Sequence, residues 1–133
     1  MIFRMSVTQL LIQTAVTFFA ATLGALLGAF LTRRTERFKH LQELRSAAYS
    51  DFLRGVANAA EQSGRALVAD ARARIAVHGG KSVVRSLSQF IAHGAQTRNR
   101  EGMQAFAELC RLMRAETGRE PVHIEDITQV LFN

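Results

Sequence analysis

Residues 10–31 read LLIQTAVTFFAATLGALLGAFL, and no charged residue occurs anywhere from Met5 to Thr32. As an α-helix this stretch extends about 33 Å at about 1.5 Å per residue, which matches a bilayer hydrocarbon core of about 30 Å. Between residues 15 and 31 only Thr17 and Thr22 carry polar side chains. A helix of this composition is apolar around its whole circumference and needs lipid or protein on every side, more than about 100 further residues comfortably supply. One transmembrane helix is therefore expected, with residues 1–32 as an anchor and 33–133 as a separate portion.

A secretory signal peptide is the competing reading, with Arg4 as its basic region and the apolar run as its core. Against it, the run is long, no convincing small-x-small cleavage site precedes the charges, and Arg33, Arg34, Arg37 and Lys39 follow at once. Those charges also set orientation, because Lys and Arg flanking a span stay on the cytoplasmic side. With Arg45 they number five, against Arg4 alone at the front. The expectation is an inner-membrane protein with its amino terminus outside and residues 33–133 cytoplasmic. The same four residues beside the span, Arg33, Arg34, Arg37 and Lys39, are candidates for anionic lipid headgroups, each worth roughly 1 kcal/mol near the surface.

The rest of the composition narrows the class. The 133 residues include one Cys, one Pro and no Trp, and 48% are hydrophobic. A lone Cys cannot staple a fold, and that apolar share can bury a core, so a disulfide scaffold and a disordered chain are excluded. The length excludes a multidomain enzyme. The single Cys110 agrees with a reducing compartment.

Gln9, Gln13 and Thr17 recur every fourth residue, and the same face continues to Gly24 and Gly28. An amide in hydrocarbon without a partner is costly, so this stripe is expected to face protein or water, and one span requires a second chain to provide it. Gly24 and Gly28 form a GxxxG, the spacing that lets two helix backbones approach closely in lipid. Homo-oligomerisation follows as an expectation, and a ring of such helices lining a narrow pore is its extension. The bland alternative is a simple anchor with an incidental pair of glycines.

Beyond residue 32 the apolar periodicity is helical throughout. Phe38, Leu41, Leu44, Ala48, Phe52 and Val56 form one face, with no Pro or Gly before Gly55, so this helix is expected to continue from the span without a break as a stiff stalk. A break near Gly64 precedes a stripe of Leu67, Val68, Ala71 and Ile75 that Gly79 and Gly80 stop. Val83, Val84, Leu87, Phe90 and Ile91 mark a third helix ending at Gly94, and Met103, Phe106, Cys110 and Met113 a fourth ending at Gly118. Ile124, Ile127, Val130 and Leu131 close the chain as a short helix beginning near Glu125 and Asp126. No run alternates with period two, so the fold class is all-α, one transmembrane helix continuing into a cytoplasmic antiparallel helical bundle. Phe38, Phe52, Phe90 and Phe106 are assigned to its core.

Three chemistries have partial spacing signals in the sequence. Gly79-Gly80-Lys81-Ser82 has the end of a phosphate-binding P-loop, but Ile75 stands where the first Gly belongs and no strand precedes it, which favours a turn between helices. His40, His78, His93 and His123 are too dispersed for a metal site, and neither metal nor cofactor is expected. Arg72 and His78 enclose five residues, as do Arg34 and His40, a spacing that resembles the Arg and His motif of HEPN ribonucleases. There His would transfer a proton and Arg would stabilise phosphate charge; a capping role for His78 at a helix end is the plainer reading. Only Arg4 of the 17 Lys and Arg, and none of the 11 acidic residues, precedes residue 33, leaving +5 on the remainder. Arg72, Arg74, Lys81, Arg85, Arg98 and Arg100 are candidates for nucleic acid, although interspersed acidic residues favour a solvated surface.

The order of parts, from Arg33-Arg34-Thr35-Glu36-Arg37 through Leu44-Arg45-Ser46-Ala47-Ala48-Tyr49-Ser50-Asp51-Phe52-Leu53 and the glycine turn between Ile75 and Val84 to Leu112-Met113-Arg114-Ala115-Glu116-Thr117-Gly118, resembles a broad family of small, functionally uncharacterised bacterial membrane proteins with one span. The layout is also similar to membrane accessory and effector proteins of CRISPR and other phage-defence systems, and implies assembly in the inner membrane without transferring any catalytic residue. The leading expectation is a non-enzymatic, self-assembling membrane protein, with a pore or effector as its elaborated form. A passive anchor for a cytoplasmic protein partner is the second, and a tethered ribonuclease using Arg72 and His78 the third.

Overall fold

The computed structural model describes residues 6–133; Arg4 lies outside them. Five helices follow in order, α1 (Val7–Ala57), α2 (Gln62–His78), α3 (Lys81–Ala92), α4 (Arg100–Glu116) and α5 (Ile124–Phe132), and among the described residues there is no strand. The chain divides into two compact units, Met1–His40 and Leu41–Asn133.

In the first unit α1 is exposed along its length. None of its most apolar 18 residues is buried. Phe38, assigned by periodicity to the core, is 59% exposed, because burial along α1 begins only at Leu41. The periodic face of Leu41, Leu44, Ala48, Phe52 and Val56 then follows as expected, with Ala48 and Phe52 buried.

The core of the second unit joins Ala48, Tyr49 and Phe52 of α1 to Ala71 and Ile75 of α2, Val83, Leu87 and Phe90 of α3, and Phe106, Leu109 and Met113 of α4. Phe90 and Phe106 lie 5.3 Å apart between ring centres, and Phe106 meets Phe132 of α5 at 6.3 Å, edge to face. Such aromatic pairs add about 0.5–1.5 kcal/mol to the area they bury.

The break after α1 falls at residues 58–61 rather than at Gly64, which is buried in the first turn of α2. Gly64 is needed for proximity, since a Cβ there would overlap the backbone carbonyl of Asn58. α3 and α4 end alike. In α3 the Ala95 amide donates to the Phe90 carbonyl (3.0 Å) and Gly94 to Ile91 (2.9 Å); in α4 Arg119 donates to Arg114 (3.4 Å) and Gly118 to Ala115 (3.2 Å). Both are Schellman ends, with Gly94 at φ +80 and Gly118 at φ +72, where a side chain would be strained. At the other end of α4 the Asn99 side chain accepts from the Gly102 amide at 2.7 Å, an N-cap that sequence periodicity had not located.

Candidate functional site

Gln9, Gln13, Thr17, Gly24 and Gly28 are all exposed on α1. The threonines of this stretch satisfy themselves, as Thr14, Thr17 and Thr22 each donate to the carbonyl four residues back at 2.8 Å. Thr17 therefore needs no external partner, and its hydroxyl caps Gln13 within the same helix. Among the described residues, the side-chain amides of Gln9 and Gln13 make no hydrogen bond. Cβ atoms built on Gly24 and Gly28 would meet nothing within 4 Å. Gly24 and Gly28 present open backbone on the same face, about 16 Å or more further along the helix than Gln13. Arg33, Arg34, Arg37 and Lys39 follow on the same helix, all exposed.

In the second unit the turn between α2 and α3 is held from two sides. The Arg45 guanidinium of α1 donates to the His78 carbonyl at 2.5 Å. The Glu116 carboxylate, at the end of α4, accepts from the Tyr49 hydroxyl and from the Gly80 amide, the latter at 3.1 Å. A Cβ on Gly80 would run into that carboxylate. Gly79 and Gly80 both have negative φ, so crowding rather than backbone conformation explains them. Burial first, and then the bond to Glu116, push the Tyr49 phenol well above its ordinary range, which keeps it a proton donor.

This arrangement answers the P-loop spacing. Gly80 is the N-cap of α3, where an anion is favoured by the helix dipole, and the chain's own Glu116 supplies it. Lys81 and Ser82 are exposed at the start of the helix. Sequence reasoning missed Glu116 because its partners are 36 and 67 residues away, and no local pattern marks it.

Arg72 is exposed and His78 half-buried, both on α2. Six residues along a helix turn them about 120° apart, so they do not share a face within one chain. The arginine of α2 that is engaged is Arg74, which bridges Asp51 of α1 at 2.7 Å and Asp70 at 2.8 Å. Among the described residues no three His, Cys, Asp or Glu side chains converge in a metal-holding group.

A cavity of about 680 Å³ opens between the second half of α1, α4 and α5. Its walls are mainly apolar, and Arg114, Arg119 and Asp126 also line it. Cys110 lies in the wall, and burial pushes its thiol up to about 11. Periodicity placed Cys110 and Met113 on one inner face; it held no information that α1 stands off and leaves space there. No protein-family model, curated protein or solved structure matches the chain.

Proposed function

We propose that residues 10–31 cross a bilayer once, that residues 33–133 lie on its cytoplasmic side, and that chains self-associate in the membrane through Gln13, Gly24 and Gly28 as a non-enzymatic assembly. The observation that carries this reading is the exposure of the apolar segment. Eleven large apolar side chains between residues 10 and 31 are exposed, from Leu10 to Leu31. Burying each completely is worth about 1.5–3 kcal/mol; at exposures of 51–76% the eleven together leave about 10–20 kcal/mol of burial unmade, as much as the whole stability of a typical domain, about 5–15 kcal/mol. Lipid removes that cost. The self-satisfied threonines suit the same medium, and the adjoining Arg33, Arg34, Arg37 and Lys39 suit an anionic headgroup layer.

Self-association rests on what lipid does not satisfy. A side-chain amide without a partner in an apolar medium costs roughly 2–7 kcal/mol. A second, parallel helix that packs along the stripe from Gly28 to Gln13 sets its own Gln13 opposite and pairs the two Gln13 amides. The test is disulfide trapping in native membranes, in a Cys110→Ser background. Gly24→Cys should give a cross-linked dimer and Leu26→Cys, about 160° around the helix, should not. Equal trapping at both positions, or none at either, removes the proposed face and leaves a simple anchor.

A further inference from the structure

We propose that the cavity between α1, α4 and α5 binds a single-chain anionic amphiphile, such as a medium-length alkyl carboxylate. The site lies wholly within residues 41–133 and does not depend on membrane insertion. Its volume of about 680 Å³ falls within the size range of small-molecule sites. Leu53, Val56, Phe106, Met113, Ile127 and Phe132 make an apolar wall. Tyr49, the buried polar residue of the lining, is already committed to Glu116. The other uncharged polar groups of the lining are the hydroxyls of Ser46, Ser50, Thr97 and Thr117, set among a larger apolar surface. The body of the ligand is therefore apolar.

The length of the site suits an extended chain. The lining runs along α1 from Ser46 to Ala57, about 16 Å at the α-helical rise. Charge selects the head. Arg114 and Arg119 line the cavity against the one carboxylate of Asp126. Arg114 spends its Nε on the Glu120 carbonyl at 2.8 Å, which leaves its two terminal nitrogens for a ligand. Arg119 is exposed and, among the described residues, its side chain makes no hydrogen bond or ion pair. α5 meets the core through Phe132 but has no buried residue, and Val130 is 85% exposed, so an occupant extends the apolar contact of this helix.

Cys110 is the only cysteine of the chain and lines the cavity, so its modification reports occupancy. The experiment places the full chain in phosphatidylcholine nanodiscs and follows the reaction of Cys110 with N-ethylmaleimide while decanoate is added below its self-association concentration. Decanoate should slow the reaction about tenfold, and Arg119→Glu should raise the concentration for half-protection about tenfold through loss of a charge-assisted bond. Decyltrimethylammonium, with the same tail and the opposite charge, should protect far less. Val56→Trp, which fills the groove, should abolish protection while helicity is retained; if that variant unfolds, Arg119→Glu still decides. Absence of protection, equal protection by the cation, or an unchanged response in Arg119→Glu overturns the proposal. Protection that grows with the number of chains per disc without decanoate assigns the groove to a second copy and overturns it as well.

Discussion

Replacing Glu116 by Ala removes the acceptor that ties α1, the α2–α3 turn and α4 together. The Tyr49 hydroxyl, in a residue only 3% exposed, is then left without a partner, and the Gly80 amide loses its acceptor as well. Hydrogen bonds to charged groups contribute about 1.5–3 kcal/mol, and an orphaned buried polar group costs about 1–3 kcal/mol. Glu116→Ala should therefore destabilise the bundle by about 3 kcal/mol. Tyr49→Phe should cost about 1.5 kcal/mol, because Glu116 keeps its bond to Gly80 and no hydroxyl is stranded. In the double variant the stranded hydroxyl is gone, so its cost should stay near that of Glu116→Ala alone, with a coupling of about 1.5 kcal/mol between the sites. Thermal unfolding of the full chain in nanodiscs, followed by far-ultraviolet circular dichroism, reads these differences. For a domain of this size about 1 kcal/mol corresponds to about 4–8 °C, so Glu116→Ala should lower the midpoint by at least about 12 °C. Strict additivity, or a larger loss in Tyr49→Phe than in Glu116→Ala, would refute the assignment of Glu116 as the shared acceptor.

Phe90→Ala should cost about 3–5 kcal/mol, read as a shift in denaturant midpoint, because Phe90 is buried against Phe106 in the centre of the second unit. Gly64→Ala should cost about 1–3 kcal/mol in the same assay, since its Cβ meets the backbone of Asn58, which cannot rotate away as a side chain can. Burial raises the Cys110 thiol from 9.0 to about 11, so at pH 8 it should react about a hundredfold more slowly than an exposed thiol, the rate rising with pH until about 11. The folded value lies above the unfolded one, so the stabilising contribution of the neutral thiol is present below about pH 9 and lost as pH rises through about 11. The difference in midpoint between wild type and Cys110→Ala should change across that window and not below it. Gly24→Leu with Gly28→Leu should reduce self-association without disturbing the monomer, because both positions open onto empty space; energy transfer between labelled chains in liposomes measures it.

Helix existence was legible in the sequence because one face of each segment carries the burial. Ala71 and Ile75, Val83 with Leu87 and Phe90, and Phe106 with Met113 all occupy the faces that period 3.6 assigns them. Helix ends were legible where glycine chemistry is specific, at Gly94 and Gly118, whose positive φ recurs in the Schellman ends. Gly64 misled because a glycine serves two purposes. Read as a breaker, it acts instead as a point of close approach, while the break falls at residues 58–61. Phe38 misled because a periodic stripe continues past the residue at which packing begins, and periodicity does not say where a neighbour starts. The Tyr49, Glu116 and Gly80 cluster and the cavity beside α5 were illegible, since both depend on contacts between residues far apart in the chain. On α1 the stripe was legible as spacing, but the internal bond from the Thr17 hydroxyl to the Gln13 carbonyl was not part of that reading.

In the proposed assembly the apolar segment stays on the chain, in a membrane, and joins copies of it. Native mass spectrometry of the protein extracted from membranes in mild detergent tests all of this in one spectrum. The expected particle has a mass that is a defined multiple, two or more, of the whole 14.7 kDa chain. A single chain of full mass would contradict the assembly, and a lighter chain lacking the first 30 or so residues, recovered without membranes, would contradict the span itself.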